Sequence, residues 1–263
     1  MKSIRAFTLI ELLTVIVIIA ILASVVALVA GPVQRNSQMV QGMSNMKQLG
    51  SGFMNYAGAH DGQLPGPGDP QPSFGSANSP TEIEAWYNVV PELAGGRALR
   101  DFTNAAEFFK KGNLLFVPAA KYPANSNVPL FGIAMNDRLR VSADGGTLED
   151  SAVRLPNFGA ASRTIIFMET GVPGEDRLPG QGGYTGSSAG NPRNLAARYK
   201  RPSTTDPDSL RESLTNLLFA DGHAASLPAK DVITGGATAY YPQLSEQGGQ
   251  GKVCWTLDPE AKP

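Results

Sequence analysis

The sequence predicts an α+β protein in which a long N-terminal helix packs on an antiparallel sheet and short elements are joined by long loops. Three observations lead to this class. An uncharged apolar stretch from Leu12 to Val33 passes into a segment, residues 34 to 58, whose apolar positions recur at helical spacing. Several later stretches have strand composition and one strand pair is joined by Asp-Gly, a hairpin signal. The 29 Gly and 20 Pro among 263 residues exclude a bundle made of helices alone.

The N-terminal element is the most informative. Lys2 and Arg5 precede the apolar run and no comparable basic cluster follows it, which places the N-terminus in the cytoplasm and the remainder outside. At about 1.5 Å per residue, the run matches a bilayer core of roughly 30 Å. A secretory signal also has a basic start and an apolar stretch, and Ala27-Leu28-Val29-Ala30 imitates its cleavage site. That reading leaves Glu11 unexplained, because a carboxylate at the mouth of an apolar helix requires a partner or an escape to the interface.

Gly31-Pro32 interrupts the run, and Pro32 predicts a kink since it lacks an amide and its ring crowds the preceding turn. Beyond it, Met39, Met43, Met46, Gly50, Phe53 and Ala57 form a stripe, with Arg35, Gln41, Lys47 and Gln48 largely elsewhere. The helix is expected to run to about Tyr56 and to end at Gly58 and His60-Asp61-Gly62. The methionines on the stripe read as core packing.

Residues 62 to 80, dense in Pro and Gly, read as a loop. Ser79-Pro80-Thr81-Glu82 has the form of a capped helix start, predicting a helix with Ile83, Trp86, Tyr87 and Val90 on its apolar face, ending before Pro91. Asn104-Ala105-Ala106-Glu107 predicts a second short helix closed by Gly112. Strands are expected at Leu114 to Val117, Leu130 to Met135, Thr164 to Met168, Asn216 to Ala220 and His223 to Leu227, the last two joined by Asp221-Gly222. Residues 171 to 209, rich in Gly, Pro, Ser and Asn, read as a long surface loop or insertion.

Composition narrows the function. With 22 Lys plus Arg against 23 Asp plus Glu, the chain offers no field for a polyanion, and no nucleic acid partner is expected. Lone Cys254 forms no intrachain disulfide, and two His leave little for zinc. No Gly-x-Ser-x-Gly elbow supports a hydrolase built on Asp221 and His223, and a tight turn accounts for Asp221 better. No enzyme activity, catalytic residue or cofactor is expected. Calcium stays open, since loop carboxylates such as Asp137, Asp144, Glu149 or Asp150 offer oxygen ligands, although the spacing of a helix-pair calcium loop is missing.

Ala6-Phe7-Thr8-Leu9-Ile10-Glu11-Leu12-Leu13 resembles the class III signal of type IV pilins and type II secretion pseudopilins. The resemblance covers about the first thirty residues and implies a pilin-like fold. It implies a prepilin peptidase that cuts between Ala6 and Phe7 and methylates the new amine of Phe7, while the apolar helix stays on the subunit as its assembly domain. Ala6 stands where Gly is commoner. Removing Lys2 and Arg5 takes the basic residues from 22 to 20 against 23 acidic ones, a net charge of −3. The resemblance gives Glu11 the amine of a neighbouring subunit's Phe7 as partner, a contact that sets register in a filament even where a buried pair adds little stability.

Asn216-Leu217-Leu218-Phe219-Ala220-Asp221-Gly222-His223 is similar to the C-terminal signature of large pilin-like proteins, in which a His precedes Asp-Gly by nine residues. Here Arg211 holds that position, so the match is partial. Phe131-Gly132-Ile133-Ala134-Met135-Asn136 also resembles an internal segment of that group, and some pseudopilins hold calcium.

The expected organisation is therefore a leader over residues 1–6, a transmembrane assembly helix over 7–33, its amphipathic continuation over 34–58 and a head over 59–263. Expected partners are prepilin peptidase, other pilin or pseudopilin subunits and the lipid bilayer. The resemblance implies a single-pass protein of the bacterial inner membrane, its head outside the cytoplasm, assembling into a periplasmic or surface filament. A membrane-tethered receptor that does not polymerise is the alternative.

Overall fold

The computed structural model describes residues 8–140, 153–175, 178, 183–184, 186–187, 190, 192–233 and 253–257. Leu9–Ala59 form one continuous helix, α1, of 51 residues, about 75 Å long at 1.5 Å per residue. Helical backbone continues through Gly31 and Pro32. Every described side chain from Leu9 to Ser37 is exposed, and docking on the head begins at Gln38. From there the predicted stripe turns inward, with Met46, Phe53 and Ala57 fully buried and Lys47 and Gln48 exposed. The helix ends at Ala59, at the His60-Asp61-Gly62 run expected to close it, where the His60 ring stacks on Tyr56 and hydrogen-bonds its carbonyl at 2.7 Å. Asp61 and Gly62 then reverse the chain with positive φ.

The sheet is a four-stranded antiparallel meander in the order β1-β2-β3-β4: β1 Ile133–Met135, β2 Ile165–Glu169, β3 Leu214–Phe219 and β4 Ala224–Pro228. These match four of the five expected strands. Leu114 to Val117 is different: it is buried except for half-buried Phe116, and it forms a turn at Leu114 and Leu115 followed by irregular backbone. Asn113 explains why, since its side chain donates to the Phe108 carbonyl and accepts from the Leu115 amide, diverting the backbone from any ladder.

Both faces of the sheet are covered. Ile166, Phe167 and Leu218 face α1 and the helix α2 (Trp86–Leu93), packing with Met46, Leu49, Phe53, Trp86 and Val90. Phe167 lies 4.6 Å from the Trp86 ring and meets Phe53 edge-on at 6.1 Å. On the other face Ile165, Met168, Leu217 and Phe219 pack with Leu195, Leu210, Val232 and Trp255. A register irregularity between Ile165 and Phe167 lets Ile166 and Phe167 both face α1. Three further helices, α3 (Ala105–Phe108), α4 (Pro207–Leu210) and α5 (Ala229–Val232), are single turns.

Two local expectations are corrected. Ser79 does not cap a helix: the Glu82 amide bonds the Ser79 backbone carbonyl, residues 80–84 form turns, and the Glu82 carboxylate is taken by the Tyr87 hydroxyl and the Asp69 amide. α2 therefore starts at Trp86, leaves Ile83 exposed and carries Pro91 inside it. Residues 171 to 209 are also no surface loop throughout, because Val172, Leu195, Ala197 and Tyr199 are buried. The Asn104 cap of α3 holds as expected, its side chain accepting from the Glu107 amide at 3.0 Å.

Candidate functional site

The stem begins with a capping box. Thr8 Oγ1 accepts from the Glu11 amide at 3.2 Å, and Glu11 Oε2 accepts from both the amide and the hydroxyl of Thr8 at 2.8 Å. The Glu11 carboxylate thus has a partner within its own chain. It sits over the first helical turn, where the unsatisfied amides favour a negative charge. Thr14 and Ser24 return their hydroxyls to helix carbonyls, at 2.9 Å to Glu11 and 2.7 Å to Ile21, so neither needs water. Leu9–Ala27 is long and apolar enough to cross a membrane, and none of it is buried within the protein. Ala6 and Phe7 lie outside the described residues.

At the head's hairpin, the Gly222 amide bonds the Phe219 carbonyl at 2.9 Å, and Gly222 takes φ +85°. The turn is a three-residue connection closed by a left-handed glycine. Asp221 Oδ1 accepts from the His223 amide at 3.1 Å and lies 2.6 Å from its Nδ1, while the His223 ring stacks on Phe219. Asp221 and His223 therefore serve the turn. This turn abuts α1: a Cβ at Gly50 would lie 2.9 Å from the Gly222 carbonyl oxygen, and one at Gly222 would lie 2.8 Å from Met54. Arg211, at the expected His position, donates to the Ile233 carbonyl beyond α5, and its own carbonyl accepts from Lys230.

Where α1 enters the head, the sheet presents a buried ionic cluster that the sequence did not reveal. Glu169 Oε1 accepts from the Tyr199 hydroxyl at 2.8 Å and from Asn216 Nδ2 at 2.9 Å. Arg198 reaches Glu169 Oε2 at 3.2 Å and holds Glu175 through two bonds of 2.8 Å. Burial raises the Glu169 carboxyl above its ordinary range, against the lowering effects of Arg198, Tyr199 and Asn216. Burial and the Glu169 charge together raise the Tyr199 hydroxyl. These residues come from three separate stretches of sequence, and Arg198 falls in the stretch that composition marks as loop, so no local motif could have flagged them.

Clefts among the described residues of the head include the following two. One, of about 600 Å³, lies beyond the C-terminal part of α1 and is lined by Tyr56, Glu84, Asn136, Asp137 and Arg140. The other, of about 860 Å³, is walled by Phe109, Phe116 and Tyr122, with Lys121 among its lining residues. Of the calcium candidates only Asp137 is described, and Asp144, Glu149 and Asp150 lie outside the described residues. Among the described residues no group of three or more His, Cys, Asp or Glu could hold a metal.

Residues 1–27 match the family model of the prokaryotic N-terminal methylation motif. No curated protein and no solved structure matches the chain. The matched segment contains the exposed apolar stretch Leu9–Ala27. A methylation motif at residues 1–27 that takes in a bare apolar helix, ahead of an α+β body carrying an antiparallel sheet, is consistent with a type IV pilin-like prepilin.

Proposed function

We propose that the chain is a structural subunit of a pilus or pseudopilus, inserted in the inner membrane by its N-terminal helix and acting in type II-like secretion or as a minor type IV pilin. The observation that carries the reading is that the methylation motif takes in the start of a helix whose described side chains are all exposed from Leu9 to Ser37. Such a surface needs lipid or other helices around it. In this reading residues 1–6 are the leader, 7–33 the assembly helix, 34–58 its continuation and 59–263 the head. Prepilin peptidase cuts between Ala6 and Phe7 and methylates Phe7, after which neighbouring stems bury one another in a filament.

Glu11 then exchanges its contacts with Thr8 for the amine of a neighbouring subunit, which sets axial register. Pro32 provides a bend between the membrane span and the docked half of α1, because it gives no amide to the carbonyl four residues before it. A motif of this kind points to a structural subunit rather than an enzyme. The cleft beside Tyr56 and Glu84 supports the alternative, a membrane-tethered binding protein that does not polymerise.

Mass spectrometry of the membrane-extracted protein tests the processing step. An N-methylated Phe7 at the terminus is the expected result; an intact Met1 or a cut near Ala30 overturns it. Sheared cell-surface and periplasmic fractions separate the two readings, since a subunit appears there as polymer and a tethered receptor stays monomeric in the membrane.

A further inference from the structure

Glu169, Asn216 and the carbonyl of Met39 form a chain of contacts joining the sheet to α1 near the point where the helix leaves the head. Asn216 Nδ2 lies 2.9 Å from Glu169 Oε1 and 3.4 Å from the Met39 carbonyl oxygen, so one amide proton goes to the carboxylate and the other to the helix. The amide oxygen, Oδ1, is buried and has no hydrogen-bond partner. An amide with both protons used and its oxygen idle is costly inside a protein, and here the orientation is imposed by an acceptor at Glu169.

The groups around Glu169 can be named element by element. Arg198 and Tyr199 approach from the segment before α4, and Glu175 from the loop after β2. The Tyr122 hydroxyl, in the loop before β1, feels the Glu169 charge. β3 supplies Asn216, and β1 places Ile133 opposite Glu169. α1 contributes Gly42 and the Met39 carbonyl, while its charged residues Arg35 and Lys47 are exposed. Two carboxylates therefore share one guanidinium. Because Arg198 is already bidentate to Glu175, a neutral Glu169 leaves a balanced pair behind.

We propose that Glu169, Asn216 and Met39 form a proton-operated clasp between head and stem. When Glu169 takes a proton from solvent, the Asn216 amide turns over, its oxygen accepts from the carboxylic acid, and its NH₂ leaves the Met39 carbonyl. The turned NH₂ then lies where Oδ1 was, on a β3 residue whose β4 partner in register is Ser226. The idle oxygen Asn216 Oδ1 is then used, and α1 loses the tie between its Met39 carbonyl and β3 at its first docked turns. No bond is made or broken other than the transferred proton and its hydrogen bonds. Burial already favours the neutral form of Glu169, which moves the transition above the ordinary carboxylate range. The clasp concerns the helix–sheet contact alone and holds whether or not the chain polymerises.

Amide hydrogen exchange on the full-length protein in detergent micelles tests this, with rates corrected for the intrinsic effect of pH. On going from about pH 7.5 to about pH 5, peptides covering residues 39–46 should lose protection roughly tenfold while those covering residues 53–59 and β3 do not change. Glu169→Gln should show the loosened level at both pH values, and Asn216→Ala should abolish the pH response. Unchanged protection of residues 39–46 in the wild-type protein overturns the clasp without recourse to any variant. A wild-type-like pH response in a folded Asn216→Ala protein overturns it equally.

Discussion

Gly42 on α1 stands against the Tyr199 hydroxyl with so little room that a Cβ there would lie 2.7 Å from it, with Asn216 Nδ2 at 3.0 Å and Glu169 Oε1 at 3.3 Å. The docked half of the helix thus rests on a polar surface, and the absence of one side chain lets it approach. Gly42→Ala should force either the helix or the cluster to move, costing about 1–3 kcal/mol as for overpacked core sites. Gly58→Ala is the matched control. Gly58 is in α1 with nothing within 4 Å of its added Cβ, so its helix propensity should raise stability by up to about 1 kcal/mol. Denaturant unfolding of the two variants in the same detergent checks the contrast.

Arg198 neutralises two carboxylates at once. Arg198→Ala leaves Glu169 and Glu175 buried without their cation and should destabilise the head by about 3–5 kcal/mol at neutral pH. The sign of the pH dependence follows from Glu169. Its folded-state value is raised above 4.5 by burial, so between the unfolded and folded values the native state binds more protons than the unfolded chain. Its contribution to stability is therefore greatest at acid pH and declines as pH rises through the folded value. Without Arg198 that value rises further. The destabilisation measured by unfolding should accordingly shrink on acidification, and a deficit that grows as pH falls would contradict this account.

Gly222 holds a left-handed turn, φ +85°, against Met54 of α1. Gly222→Ala adds the steric cost of that conformation, about 1–2 kcal/mol, to a contact at 2.8 Å. A fall in thermal midpoint should accompany it. His223→Ala, in the same exposed turn, should change stability far less, within about 0.5 kcal/mol, which separates backbone geometry from side-chain chemistry at this hairpin.

Thr8 and Glu11 can be distinguished by what they leave behind. Thr8→Ala removes the capping hydroxyl, at a cost of about 1 kcal/mol to the first helical turn, but keeps the Glu11 carboxylate. Glu11→Ala removes the charge as well. Both variants should be processed normally. Incorporation into filaments, measured in sheared fractions, should fall with Glu11→Ala and persist with Thr8→Ala if the carboxylate sets register; equal behaviour of the two would reduce Glu11 to a cap.

The stem, the docked stripe and the hairpin were legible because each is written in consecutive residues. An uncharged run, a three-and-four spacing from Met39 to Ala57 and an Asp-Gly dipeptide are local patterns with local physical meaning. Leu114 to Val117 misled for the complementary reason: an apolar run states burial, and whether it becomes strand or turn was decided by Asn113 bonding its neighbours. Ser79 misled likewise, because Tyr87 and Asp69 claimed the Glu82 carboxylate on which the expected cap depended.

By itself the sequence determined that this protein has a membrane-compatible N-terminal helix with a methylation motif and a carboxylate near its start, and that the helix continues into a body with an antiparallel sheet. Only the tertiary structure decided where the helix stops being free and begins to dock, at Gln38, and what grips it there. That grip joins Glu169, Glu175, Arg198, Tyr199 and Asn216 from three separate stretches of chain. Buried charges are tolerated only when such distant groups converge, and convergence is a property of packing that no local spacing records.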